Sequence, residues 1–155
     1  MKKLIAKLIP LVLLFGLFAC SPSFAEKASA SLAKTVSQFR ITGYGLDQYY
    51  ERYETANVSE DDFPLYVETY QMGYGDCSFT LDGNSLNFYE YSEYARQAVY
   101  DPSNPGSRVV VGWIIVWKIN PNYSRLYNGT HNLRAICDGI NGNRISDGIS
   151  FRIYN

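Results

Sequence analysis

Cys77-Ser-Phe-Thr-Leu-Asp-Gly83 is the stretch on which the fold turns. Cys77, Phe79 and Leu81 alternate with Ser78 and Thr80, the period-2 pattern of a strand with one buried face. Asp82-Gly83 then supplies turn chemistry. A second stretch, Leu133-Arg-Ala-Ile-Cys137, repeats the pattern with Leu133, Ala135 and Cys137 on one side. It starts beyond the Asn128-Gly129 turn and ends at Asp138-Gly139.

Further strands follow on either side. Leu65, Val67 and Thr69 alternate with Tyr66, Glu68 and Tyr70. Arg108 to Lys118 is apolar on both faces and rich in β-branched residues, which predicts a strand inside a sheet. Ile149 to Ile153 alternates again, and Val36 to Ile41 makes an early strand that Gly43 and Gly45 are expected to break. Gln48 to Val58 fits a strand or a short helix. Asp101-Pro-Ser-Asn-Pro-Gly106 is the clearest loop. Short strands, turn residues between them and no long helical period predict an all-β antiparallel sandwich.

The N-terminus has a different character. Lys2, Lys3 and Lys7 precede an apolar run from Leu8 to Ala19, and Ser23-Phe24-Ala25 places small residues where a signal peptidase cuts. The run is shorter than the roughly 20 residues of a membrane span. Residues 1–25 are therefore expected to be a signal peptide, 26–35 a flexible lead-in, and 36–155 a single domain. Leu17-Phe-Ala-Cys20 resembles a lipoprotein signal, so a cut before Cys20, with lipid on that cysteine, stays open beside the cut after Ala25. The protein is expected to be secreted or periplasmic, or an outer-membrane lipoprotein if Cys20 is lipidated; contact with membrane is expected only in that case.

Three of the 14 basic residues and none of the 15 acidic ones lie in residues 1–25, which leaves 11 against 15 and a formal charge of −4. No basic cluster marks a nucleic-acid partner. With Cys20 removed or lipidated, Cys77 and Cys137 remain as an even pair in an oxidising compartment, and a disulfide between them is expected. Two buried thiols are the alternative. The single histidine, His131, and the absence of Cys-x-x-Cys spacing argue against a metal site. No cofactor is expected.

The C-terminal part is similar to a bacterial Ig-like domain. The shared features are Cys77 to Gly83, Trp117, Tyr127-Asn-Gly-Thr-His-Asn-Leu133, Ala135-x-x-Asp138 with Gly142-Asn143, and the closing Ile149 to Asn155. The likeness implies an Ig-like antiparallel sandwich in which the Cys77 and Cys137 strands are neighbours in one sheet. It also marks Asn84 to Trp113 as a long inserted segment, and it says nothing about activity.

Catalysis finds little support. His131 is the only candidate base of a Ser-His-Asp triad, it falls within a turn motif, and no nucleophile elbow accompanies it. Glu51, Glu54, Glu90 and Glu93 are the acids that a paired-carboxylate glycosidase would draw on. Glu60-Asp-Asp62, Asp138 and Asp147 are the acids a calcium site would draw on, but consecutive acids point to different sides. The strongest compositional signal is 14 tyrosines, all beyond residue 25. Tyrosine offers rigid contact area with a polar tip. The expected function is a non-catalytic module that binds a protein or glycan through Tyr49, Tyr50, Tyr89, Tyr91 and Tyr94. Two alternatives are an inhibitor that plugs an extracytoplasmic hydrolase with loop 101–107, and an outer-membrane lipoprotein with an assembly role.

Overall fold

A computed structural model describes residues 35–45, 49–59, 61, 63–103, 105–106 and 108–154. The expected signal peptide, Cys20 and nearly all of the expected lead-in lie outside the described residues. What is described is all-β: ten strands in two five-stranded sheets, with a 3-10 turn at Tyr123–Arg125. The strands are β1 (Gln38–Gly45), β2 (Tyr49–Glu51), β3 (Ala56–Val58), β4 (Leu65–Met72) and β5 (Gly75–Leu81). They continue as β6 (Asn84–Ser85), β7 (Tyr91–Tyr100), β8 (Val110–Ile119), β9 (Gly129–Gly139) and β10 (Arg144–Ile153). The first sheet runs β2-β1-β4-β8-β7 and the second β3-β10-β9-β5-β6. All neighbours are antiparallel except β3 and β10, which run parallel.

The alternating stretches form the core. Leu65, Val67, Thr69 and Gln71 of β4 are buried while Tyr66, Glu68, Tyr70 and Met72 are half-buried on the opposite face. Phe79, Leu81, Leu133, Ala135, Cys137, Ile149, Phe151 and Ile153 bury the inner side of the second sheet. Each large apolar side chain enclosed this way contributes about 1.5–3 kcal/mol. Phe79 lies 5.3 Å from the ring of Trp117 and so joins the two sheets. The buried Trp117 indole N–H donates to Thr69 Oγ1 at 2.9 Å, the kind of partner that burial of a polar group favours.

Two expectations change. β1 does not end at Gly43 but continues through Gly45, because a register shift between Ile41 and Gly43 absorbs the irregularity and pairing with β4 resumes. A bulge of this kind keeps a ladder going where an isolated glycine reads as a break. Gln48 to Val58 resolves into β2 and β3, one in each sheet, with no helix. The chain also changes sheet between β4 and β5 at Gly73, whose φ of +92° favours glycine. A Cβ there would sit 2.1 Å from the Thr35 carbonyl oxygen.

β5 and β9 are neighbours, with Cys77 directly opposite Cys137. Both are free thiols in this structure, so the expected covalent bond is not formed here. Gln71 reaches from the other sheet, and its Oε1 accepts from both sulfurs, at 3.6 Å from Cys77 and 3.5 Å from Cys137. The Cys77 thiol is pushed up by its hydrogen bond with Cys137 and by burial.

Candidate binding surface

The residues read as catalytic in outline are engaged in holding the fold. His131 is fully buried. Its Nδ1 is 2.7 Å from the Asp82 carboxylate and its Nε2 is 2.7 Å from the Tyr127 carbonyl oxygen. Phe151 stacks on the imidazole at 5.6 Å. Asp82, at φ +51°, also accepts from the Asn132 N–H at 2.8 Å. The Asp-Gly turn and the Asn-Gly-Thr-His turn are thus locked together through one histidine.

Glu90 is equally committed. It accepts from the N–H groups of Asn87 and Asn122, at 2.8 and 2.9 Å, with Arg125 at 3.6 Å. Burial works against its charge, yet those donors and Arg125 outweigh it and hold its carboxyl below the usual range. A lowered carboxyl pKa stabilises the fold above the unfolded-state value near 4.5, and that contribution is lost as pH falls through the folded-state value. Glu90→Gln is therefore expected to lower stability at neutral pH and to flatten the fall in stability toward acid, as urea unfolding between pH 7 and pH 3 will show. Glu93 is exposed and pairs with Arg96 instead, so the two acids share no cleft. Glu54 accepts from the Glu51 N–H at 2.8 Å. Asp138 pairs with Arg144 and Asp147 with Arg52. No cluster of three metal-ligating side chains occurs among the described residues.

The tyrosines separate into different roles. Tyr91, expected on an exposed face with Tyr89, is instead half-buried against Phe79 and Trp117, at 5.2 and 6.3 Å. Tyr89 belongs not to a strand but to the Phe88–Glu90 turn, where it is 82% exposed and packs on Phe88. The grip of Glu90 on Asn87 and Asn122 makes that turn and separates the two rings. Tyr50 packs on the core and stacks with buried Tyr44 at 5.7 Å. Tyr49 pairs with Gly45 through its backbone, and its side chain lies outside the described part. Tyr94 meets the expectation of exposure, at 66%.

Tyr94 belongs to a surface that sequence reading did not assemble. It lies at the register shift of β7 between Glu93 and Ala95, and its ring meets Tyr66 edge-on at 5.0 Å. Bulges re-aim side chains in this way. The outward face of the first sheet then carries rows set by register. One is Arg40-Tyr70-Ile114-Gln97, another Glu68-Val116-Ala95, and a third Tyr66-Lys118-Ser92. The Arg40 guanidinium lies over the Tyr70 ring at 5.1 Å. The face is largely aromatic and aliphatic; Glu68 lies within it between Tyr66 and Tyr70 and accepts from the Thr42 hydroxyl, while Arg40, Gln97 and Lys118 complete the rows. Tyr66 and Tyr70 are visible in the sequence as the alternate residues of β4. Their junction with Tyr94 needs β8 to lie between β4 and β7.

Over residues 27–151 the chain matches the family described as a domain of unknown function, DUF4879, and it belongs to that family. No curated protein matches it.

Proposed function

We propose that this DUF4879 protein is an exported, non-catalytic binding module with an Ig-like sandwich, and that it captures a protein or glycan through the tyrosine face of its first sheet. Secretion or a periplasmic location follows from the N-terminal pattern of lysines, apolar run and small-residue cut. The strand orders support the Ig-like reading. β1-β4-β8-β7 corresponds to the A-B-E-D order of such sandwiches, and β10-β9-β5 to G-F-C. In that correspondence the cysteines fall on strands C and F of one sheet, unlike the bridge between sheets in antibody domains.

The observation that carries the reading is the outward sheet face shared by Tyr66, Tyr70, Tyr94, Ile114 and Val116, where Tyr66 and Tyr94 meet edge-on. Rigid aromatic area beside isolated charges is the composition of binding hot spots. Among the groups that catalysis would draw on, Glu54 and Glu90 accept from backbone N–H groups, Glu93 pairs with Arg96, and His131 joins two turns. Tyr94→Ala is expected to weaken partner capture at least tenfold and to cost no more than about 1 kcal/mol of stability, the scale of one edge-on ring pair. Gln97→Glu, an exposed change on the same face, should weaken capture at still smaller cost. Pull-down from the extracytoplasmic fraction and a glycan array, each read beside thermal unfolding, make the check. Capture unchanged in both variants rejects this face.

A further inference from the structure

A second surface, on the other sheet, has a different chemistry. β3 runs parallel to β10 with Ala56 opposite Phe151, so the chain entering β3 passes along the β10 edge. Tyr44 pins that approach. Its buried hydroxyl accepts from the Ala56 N–H at 2.9 Å, donates to the Glu54 carbonyl, and has the Ser150 carbonyl at 3.1 Å. Between the 52–55 loop and the outward face of β9 and β10 is a cleft of about 550 Å³. That size falls within the roughly 300–1,000 Å³ typical of small-ligand sites.

We infer that this cleft binds an acidic sugar, a hexose-sized ring bearing a carboxylate. The floor is built from outward positions of two paired strands: Asn132 and Arg134 on β9, and Ser146, Gly148 and Ser150 on β10. Gly148 lies opposite Arg134 and leaves the middle of the floor without a side chain. A Cβ there would meet the Leu133 carbonyl at 3.2 Å, and any larger group would occupy the cleft.

The hydrogen-bonding capacity that remains is mostly donor. Nε and Nη2 of Arg134 both donate to Ser146 Oγ, at 3.0 and 2.6 Å, which fixes the guanidinium plane and leaves Nη1 without a partner among the described residues. Ser150 Oγ donates to Asn132 Oδ1 at 2.7 Å, so the Asn132 amide turns its N–H₂ outward as a donor. Alternate residues on a strand are about 7 Å apart, on the order of the reach across one sugar ring.

Charge selects among acceptor-rich ligands. The Asp147 carboxylate is spent: it accepts from Arg52 Nη2, the Gly148 N–H and the Ile41 N–H, at 2.6, 3.0 and 2.9 Å. Glu54 is turned to the Glu51 N–H. Arg134 has no carboxylate partner among the described residues, so Nη1, with the second Nη2 hydrogen beside it, is left to meet an anion end-on, and a carboxylate can bridge the two. At the mouth Tyr53 is 84% exposed, with the Arg52 guanidinium 5.0 Å from its ring centre, a platform for the apolar face of a sugar. This site is independent of the tyrosine face, which belongs to the other sheet.

The test is a titration of ¹⁵N-labelled protein with trimers of galacturonate, glucuronate and mannuronate, and with their methyl esters. At least one acid trimer should shift the amides of Asn132, Arg134 and Gly148 and bind in the millimolar range or tighter. Its ester should bind at least tenfold more weakly. Arg134→Gln should lose at least tenfold in affinity with its melting temperature kept, and Gly148→Val should lose binding by filling the floor. Tyr94→Ala should bind the trimer like the parent. The inference is overturned if no acid trimer moves those amides, if ester and acid bind alike, if Arg134→Gln binds unchanged, or if Tyr94→Ala abolishes the signal.

Discussion

Joining Cys77 to Cys137 is expected to raise the unfolding free energy by about 4 kcal/mol over the dithiol form, because the bond closes a loop of about 60 residues in the unfolded chain. The folded state needs little adjustment. The two residues are directly opposite on antiparallel neighbours. Facing positions of that kind have Cα atoms about 4.5–5.5 Å apart, within the reach of a disulfide. Oxidation removes the two thiol hydrogens that Gln71 Oε1 now accepts, a cost set against that gain. Urea unfolding with and without reductant measures the gain. Coincident transitions would sink the expectation, as would two titratable thiols in protein taken from an oxidising medium. The same bond would let a domain of this size tolerate the polar interior that Gln71 and Thr69 bring.

His131→Ala is expected to cost about 3 kcal/mol, the scale of removing a buried ring together with its hydrogen bonds to a charged group. The substitution would empty the space against Phe151 and leave the Tyr127 carbonyl without its donor. Asp82 is 24% exposed, so water can take over part of its solvation, which keeps the cost below that of a fully buried broken pair. The damage should reach the Asp82-Gly83 turn and the start of β9 together, since one side chain joins them. Hydrogen exchange at Asn132 and Leu133 would report it, beside the shift in denaturation midpoint. A loss under about 1 kcal/mol would contradict the structural role. The change should leave trimer binding at Arg134 measurable in whatever fraction stays folded, which separates a scaffold histidine from a ligand contact.

The strands that the sequence makes plain are those with strict alternation. Cys77-Phe79-Leu81, Leu133-Ala135-Cys137 and Ile149-Phe151-Ile153 each place three inward side chains at period 2, and all three are found so. The run from Val110 to Ile119 lies between two neighbours, as a strand apolar on both faces should. Less was visible where a local rule met a long-range partner. Gly43 and Gly45 look like breakers until β4 is present to continue the ladder past a bulge. Tyr89 and Tyr91 share parity in the sequence, but Glu90 holds a turn between them by gripping Asn122 more than thirty residues away.

The candidate surfaces divide in the same way. Tyrosine abundance pointed to aromatic surface, and Tyr94 is exposed, beside Tyr66. Arg134, Asn132 and Ser150 gave no signal, for each is an ordinary polar residue on the outer side of a strand. They become a site only when β9 and β10 pair and the 52–55 loop rises beside them.

By itself the sequence determined the class of the protein, the turns, the faces of its regular strands and the pairing partner open to each late cysteine. Those are local matters, written in alternation and in the backbone preferences of Gly, Asn and Asp. Tertiary structure alone decided which tyrosines face the core, that His131 and Glu90 serve turns, and where a cleft opens. A strand's period states which residues share a side; only sheet order and register state what lies beside them or across from them.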